Sequence, residues 1–215
     1  AITSLLLVVT GCDNIMRNNR MDAVTDTIPH NQSAINNQAP PIEVKALTST
    51  PEGIAEVVTA NNQFAIDMYQ QINGQPDQAD KNVFFSPYSL STAMAMLYAA
   101  AEGETKAQIQ KTFHYPAPAI LNPNSAALYN QFNKPNPDYK LATVNDLWMQ
   151  QGLTPTKSYI DTVQRYYSGQ VTALDFEGSP DSARQTINKK IVEKTKQMIP
   201  ELLPKGSIKS DTAVV

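Results

Sequence analysis

The sequence predicts a mixed α+β fold for residues 51–215, preceded by two segments of different character. Three observations point to it. Long stretches repeat apolar residues near a 3.6-residue period, as helices with one buried face do. Short runs rich in Val, Phe, Leu and Trp, bounded by Gly, Pro and Asn, lie between them and read as strands. Prolines at 51, 87, 180 and 200 punctuate the periodic runs at their starts and ends.

Thr50 caps the first helix, with Pro51 at its first position. Ile54, Val57, Val58, Phe64, Ala65, Met68 and Ile72 form its apolar face, and residues 74–80 end it with Gly, Pro and charge. Asn82-Val83-Phe84-Phe85 is of strand type and leads into Ser86-Pro87, a cap and a first-turn proline. The helix that follows carries Leu90, Ala93, Met94 and Leu97, with Ala95, Ala99, Ala100 and Ala101 on its other faces. Apolar all round, it belongs inside a large core. Gly103 ends it. Thr105-Lys106-Ala107-Gln108 has the form of a capping box and opens a third helix with Ile109 and Phe113 inward. His114 follows as a surface or cap residue with no catalytic partner in view.

Residues 116–137 contain five prolines and room for one short helix at about 126–132. Residues 139–149 read as a long strand whose Leu147 and Trp148 point to opposite faces, both covered. A helix from Thr156 buries Tyr159, Ile160, Val163, Tyr166 and Tyr167, and Gly169 closes it. Residues 171–176 alternate like a strand. The last helix opens at Ser179-Pro180, with Ala183, Ile187, Ile191, Lys194/Thr195 and Met198 inward. Lys189, Lys190, Glu193 and Lys196 face mainly solvent, and Pro200 stops it. A turn at Pro204-Lys205-Gly206-Ser207 leads to Thr212-Ala213-Val214-Val215, the start of a strand within which the sequence stops.

Composition narrows the chemistry. The 215 residues carry 17 Lys+Arg against 20 Asp+Glu, a net charge of −3. This lacks the clustered basic charge of a nucleic-acid footprint, and no nucleic-acid partner is expected. One cysteine cannot form an internal disulfide, and two histidines, His30 and His114, leave little for a zinc site or a His-based triad. There is no Gly-rich phosphate loop, no HExxH, no G-x-S-x-G elbow, no S-x-x-K and no distinctive carboxylate pair. The expectation is a protein that is not an enzyme and holds neither cofactor nor metal.

The first segment, 1–11, is an apolar run far shorter than the ~20 residues of a spanning helix and of the length of a signal-peptide core. With neither an initiator Met nor a basic start, it reads as the remnant of a signal peptide. Val9-Thr10-Gly11-Cys12 resembles a bacterial lipobox, which implies Cys12 as a lipid-attachment site and a tether to a membrane surface. The other reading is a short strand ending in Gly-Cys. Residues 12–50, rich in Asn, Gln, Thr and Pro and without a period, read as a polar, disordered linker.

At Asn82-Val83-Phe84-Phe85-Ser86-Pro87-Tyr88-Ser89-Leu90-Ser91 the sequence resembles the serpin family. The resemblance continues through Ala93-Met94-Ala95-Met96-Leu97-Tyr98 and Gly103-Glu104-Thr105, and recurs at Val144-Asn145-Asp146-Leu147-Trp148. It returns at 159–176, at Ala183-Arg184-Gln185-Thr186-Ile187-Asn188 with Glu193-Lys194-Thr195, and at Leu202-Leu203-Pro204-Lys205-Gly206-Ser207-Ile208 with Asp211-Thr212. The motifs keep the family's order over roughly 54–215. One departure is Ala100-Ala101, where Gly-Ala is common.

The resemblance implies the N-terminal part of a serpin fold: several helices and the first strands of the central sheet, incomplete. It implies a serine-type endopeptidase inhibitor acting by suicide-substrate loop insertion, with the reactive loop beyond Val215. After cleavage that loop inserts as a new strand and carries the acyl-enzyme with it. The expected partner is a serine or cysteine protease, the complete protein a monomer, and the setting secreted, extracellular or cell-envelope with a lipid anchor. Ser86 and Ser89 fall where the family has its shutter, the region that opens for insertion, and residues 179–199 fall where a helix crosses the sheet and must shift. The alternative is a non-inhibitory serpin-fold binding or structural envelope lipoprotein.

Overall fold

The computed structural model describes residues 9–10, 49–78, 81–138, 141 and 143–215. In chain order they form β1 (Val9–Thr10), α1 (Pro51–Asn73), α2 (Pro87–Ala100), α3 (Gly103–Thr112), α4 (Pro118–Phe132), β2 (Asp146–Gln150), α5 (Lys157–Tyr167), β3 (Gln170–Leu174), α6 (Pro180–Lys194) and β4 (Thr212–Val214). Cys12 and the rest of the segments 1–11 and 12–50, apart from residues 9–10 and 49–50, lie outside the described residues.

The strands make one sheet in the order β1-β4-β2-β3. β2 and β3 are parallel, with Asp146 opposite Gln170 and Gln150 opposite Leu174. The connection between them is α5, as a parallel pair requires. β4 runs antiparallel to β2, and Trp148 and Val215 exchange both backbone bonds at 2.9 and 2.8 Å. Val9 and Thr10 pair antiparallel with the other edge of β4.

Side-chain alternation in β2 divides the core in two, as the opposed Leu147 and Trp148 predict. Leu147 and Met149 enter a cluster with Phe64, Met96, Tyr98, Phe113, Tyr115, Leu121, Val163 and Tyr167, filled by α1, α2, α4 and α5. Trp148 enters a second cluster with Phe176, Ala183, Ile187, Ile191, Leu203, Ile208 and Val215, which seats α6 on the opposite face. The sheet is thus sandwiched between two helical layers, which explains why its strands are apolar on both sides.

Local capping chemistry accounts for several helix starts. Thr50 Oγ1 accepts from the Gly53 amide at 3.0 Å, and Thr156 Oγ1 accepts from the Tyr159 amide at 3.3 Å. α1 and α4 cross closely at Gly53, where any added Cβ would collide with the buried Asn124 side chain. Asn124 Oδ1 accepts from the Thr50 amide at 3.0 Å and its Nδ2 donates to the Ile120 carbonyl at 2.7 Å, so one side chain ties the two helices.

The structure departs from the sequence expectations at several points. α4 spans fifteen residues and carries Pro123 inside it, where a short helix at 126–132 is expected. Pro118 at its start and the buried Leu121, Asn124, Ala126 and Leu128 outweigh the one backbone bond Pro123 cannot donate. Residues 82–85, expected to be of strand type, form no strand. The strand expected over 139–149 is confined to Asp146–Gln150 among the described residues. The capping box at Thr105–Gln108 does not form, because α3 already starts at Gly103, whose φ of +56° reverses the chain after α2. Gln108 Nε2 instead donates to Glu104 Oε1 at 3.0 Å.

Two helix ends also differ. Ser168, not Gly169, takes the left-handed conformation after α5 (φ 52°). Gly169 is needed for another reason: a Cβ there would lie 2.7 Å from Val163 Cγ1 and 2.9 Å from the Asn145 carbonyl oxygen. α6 ends at Lys194, four residues before Met198, which is 67% exposed rather than inward. Lys196 and Gln197 at φ 51° and 66° turn the chain back. Thr195 Oγ1, which donates to the Ile191 carbonyl and accepts from the Ile199 amide, replaces the next helical turn.

Candidate functional site

Ser86 and Ser89, the two residues singled out by resemblance, meet at the first turn of α2. Ser86 sits in an extended conformation as the N-cap, with Pro87 next. Its Oγ accepts from the Ser89 amide at 3.3 Å and shares a hydrogen bond of 2.9 Å with Ser89 Oγ. The pair therefore closes the amide end of the helix and one hydroxyl satisfies the other.

Both serines line a cleft of about 390 Å³ between α1, α2, α4 and α5, with Asn61, Tyr88, Thr92 and Tyr166 also on its wall. Thr92 Oγ1 donates to the Tyr88 carbonyl at 2.9 Å, and the Tyr88 ring meets Phe132 edge-on at 5.2 Å. Asn61 Oδ1 is buried without a hydrogen-bond partner among the described residues. Burial raises the Tyr88 phenol above its ordinary value, and burial likewise raises Tyr115, which bonds Ser91, and Tyr167, whose hydroxyl donates to Asn122 Oδ1 at 2.8 Å. These phenols stay neutral and act as packing and hydrogen-bonding groups. The arrangement holds the start of α2 in place against a wall of neutral groups. The Ser86 oxygen is committed to capping, and the Ser89 hydroxyl is committed to Ser86.

Removing the cap oxygen has a definite expected cost. Ser86→Ala should destabilise the folded protein by about 1 kcal/mol, the usual value for an N-cap serine. A urea midpoint indistinguishable from that of the parent would show that the cap carries no such load.

The other residues weighed in the sequence fall elsewhere. Trp148 is 4% exposed and belongs to the core beneath α6. His114 takes φ 54° after α3 and does have a partner: its Nε2 lies 2.7 Å from Asp67 Oδ2, both side chains being well exposed. Among the described residues no group of three or more His, Cys, Asp or Glu is placed to hold a metal, and no helix is long and apolar enough to cross a membrane.

Sequence reasoning missed Asp146. Its side chain is 1% exposed, yet it accepts from Lys194 Nζ at 2.7 and 2.9 Å and from the Gln170 amide at 3.3 Å, with Lys190 Nζ at 3.9 Å. Lys190 thus leaves the solvent face assigned to it, bonding Gln170 Oε1 at 2.9 Å with its ammonium 5.9 Å from the Trp148 ring. The signal available in the sequence is an acidic residue opening an apolar strand, together with two lysines one helical turn apart.

Comparisons agree with this architecture. The family model for "Serpin (serine protease inhibitor)" matches residues 59–215. An uncharacterised serpin-like protein of Methanosarcina acetivorans is 40% identical over 161 residues, covering 74% of this chain and 38% of the relative. A leukocyte elastase inhibitor of Equus caballus is 30% identical over 160 residues, covering 74% of this chain and 42% of the relative. The solved structure of human thyroxine-binding globulin complexed with thyroine superposes with a TM-score of 0.64 at 26% identity, over 75% of this chain and 43% of that one. The chain spans about two fifths of the length of the relatives it matches. With helices and strands in this order and this match over residues 59–215, the chain has the N-terminal part of a serpin fold and belongs to the serpin family.

Proposed function

We propose that the protein is a serine-type endopeptidase inhibitor that works by suicide-substrate loop insertion. The observation that carries this reading is the likeness to leukocyte elastase inhibitors at 30% identity or above. The device at the start of α2 and the seating of α6 across the sheet are consistent with it, since insertion of a strand requires the sheet to part beneath a movable helix. In this reading the reactive loop lies C-terminal to Val215. The target protease's nucleophile attacks a peptide bond of that loop, the C–N bond breaks and its amine leaves protonated as a new N-terminus, and the acylated protease is carried off as the freed loop enters the sheet. Ser86 and Ser89 belong to the region that parts. The target is a serine protease or a cysteine protease of papain type.

The test is incubation of the full-length protein with trypsin-, elastase- and papain-like proteases, followed by denaturing electrophoresis. A complex that survives the detergent is expected with at least one of them. Cleavage to a substrate-like product with all of them would overturn the inhibitory reading and leave the second one, a non-inhibitory serpin-fold binding or structural envelope protein. Thyroxine-binding globulin, a fold relative named for what it binds, favours that alternative.

The proposed setting is the cell envelope, with Cys12 lipidated. Cys12→Ser is expected to release the protein from the membrane fraction, and a variant that still partitions with membranes would remove the anchor from the account.

A further inference from the structure

α6 and the segment after it form a self-bonded body. Arg184 Nε bonds Asp181 Oδ1 at 2.8 Å, and its Nη1 bonds the Leu203 carbonyl and Glu201 Oε1, both at 3.1 Å. Asn188 is tied more fully. Its Nδ2 donates to the Leu203 carbonyl at 2.9 Å, and its Oδ1 accepts from the Leu202 and Leu203 amides at 3.0 and 2.9 Å. Leu203 and Ile208 then pack with Ile187 and Ile191 in the same apolar cluster. Helix and returning chain share one set of bonds.

The hold of this body on the sheet is of another kind. Apart from the Lys190 ammonium over the Trp148 ring, its inner face meets Trp148, Phe176 and Val215 through apolar contact, which is non-directional. Among the described residues, the directional hydrogen bonds from α6 to the strands all gather at one end. Lys194 and Lys190 reach Asp146 and Gln170, which are register partners at the starts of β2 and β3. The Asp146 carboxylate, 1% exposed, is a buried charge whose compensation depends on Lys194.

We infer that Asp146 with Lys194, backed by Gln170 with Lys190, forms a latch that fixes one end of the α6 body to the paired starts of β2 and β3, so that breaking the Asp146–Lys194 tie loosens residues 180–208 as a unit. Asp146 is a positioning residue. It touches no substrate and acts on the sheet through α6. The latch does not depend on the inhibitor reading. Where that reading holds, the latch sets how readily the helix lifts while a strand enters the sheet.

Native-state hydrogen exchange of the full-length protein tests it, with Asp146→Asn and Lys194→Met compared with the parent. The Asn variant keeps an oxygen for the Gln170 amide and removes the charge, whereas the Met variant keeps the apolar stem of the lysine. Amides in α6 and in 195–208 are expected to exchange together, about tenfold faster or more, while α2 and β3 keep their rates. An unchanged rate in α6, a rise spread evenly over the molecule, or faster exchange in α6 with 195–208 unchanged would each overturn the latch. Should Asp146→Asn fail to fold, Lys194→Met, which leaves Asp146 with Lys190 in reach, carries the same comparison. None of these outcomes bears on whether a protease complex forms, so the two readings fail separately.

Discussion

Phe176→Ala in the full-length protein is expected to lower the free energy of unfolding by about 3–5 kcal/mol, the range for removing a fully buried phenylalanine. Phe176 is 0% exposed and lies with Trp148, Ile187, Leu203 and Val215 between the sheet and α6. Its backbone is held as well: the Phe176 amide donates to Gln150 Oε1 at 2.7 Å, so the ring's anchor cannot swing away to let the layers close over the vacancy. The lost transfer energy and an uncollapsed cavity therefore add. Phe176→Leu fills much of the same space and should cost markedly less. Denaturant midpoints of the two variants measure the contrast, and a loss under about 1 kcal/mol for Phe176→Ala would contradict the two-layer packing described above.

The parts of the fold legible in the sequence are those decided locally. Thr50 and Ser86 cap helices because a hydroxyl at that position meets an amide three residues on, whatever the rest of the chain does. The opposed burial of Leu147 and Trp148 follows from the two-residue period of a strand. The parts that were not legible depend on distant partners. Helix α4 forms through its proline because Leu121, Asn124, Ala126 and Leu128 are buried and Asn124 meets α1 at Gly53, a gain no window of the sequence displays. The early end of α6 is fixed by Thr195 turning back on its own helix and by the bonds of Asn188 to residues fourteen and fifteen away. Lys194 is legible as a residue of the inner stripe, but its partner Asp146, 48 residues before it, is displayed by no local pattern. In the candidate site the same division holds. The Ser86 cap was readable, whereas its hydroxyl bond to Ser89, the cleft wall from α1, α4 and α5 and the unpaired Asn61 oxygen appear only in the folded chain.

In the inhibitory reading proposed above, the full-length fold stores a conformational change and needs no catalytic group for it. In that account the native sheet, with β2 and β4 joined near Met149 and Val214 and α6 lying over them, is short of the strand that would complete it. Adding that strand extends the backbone ladder and buries further apolar side chains, both of which stabilise the product. The direct measurement is the thermal unfolding midpoint of the full-length protein before and after a protease cuts its reactive loop. The account predicts a rise of more than about 10 °C, well beyond the few degrees that about 1 kcal/mol produces in a domain of 150–250 residues. A midpoint that stays the same or falls on cleavage would contradict it.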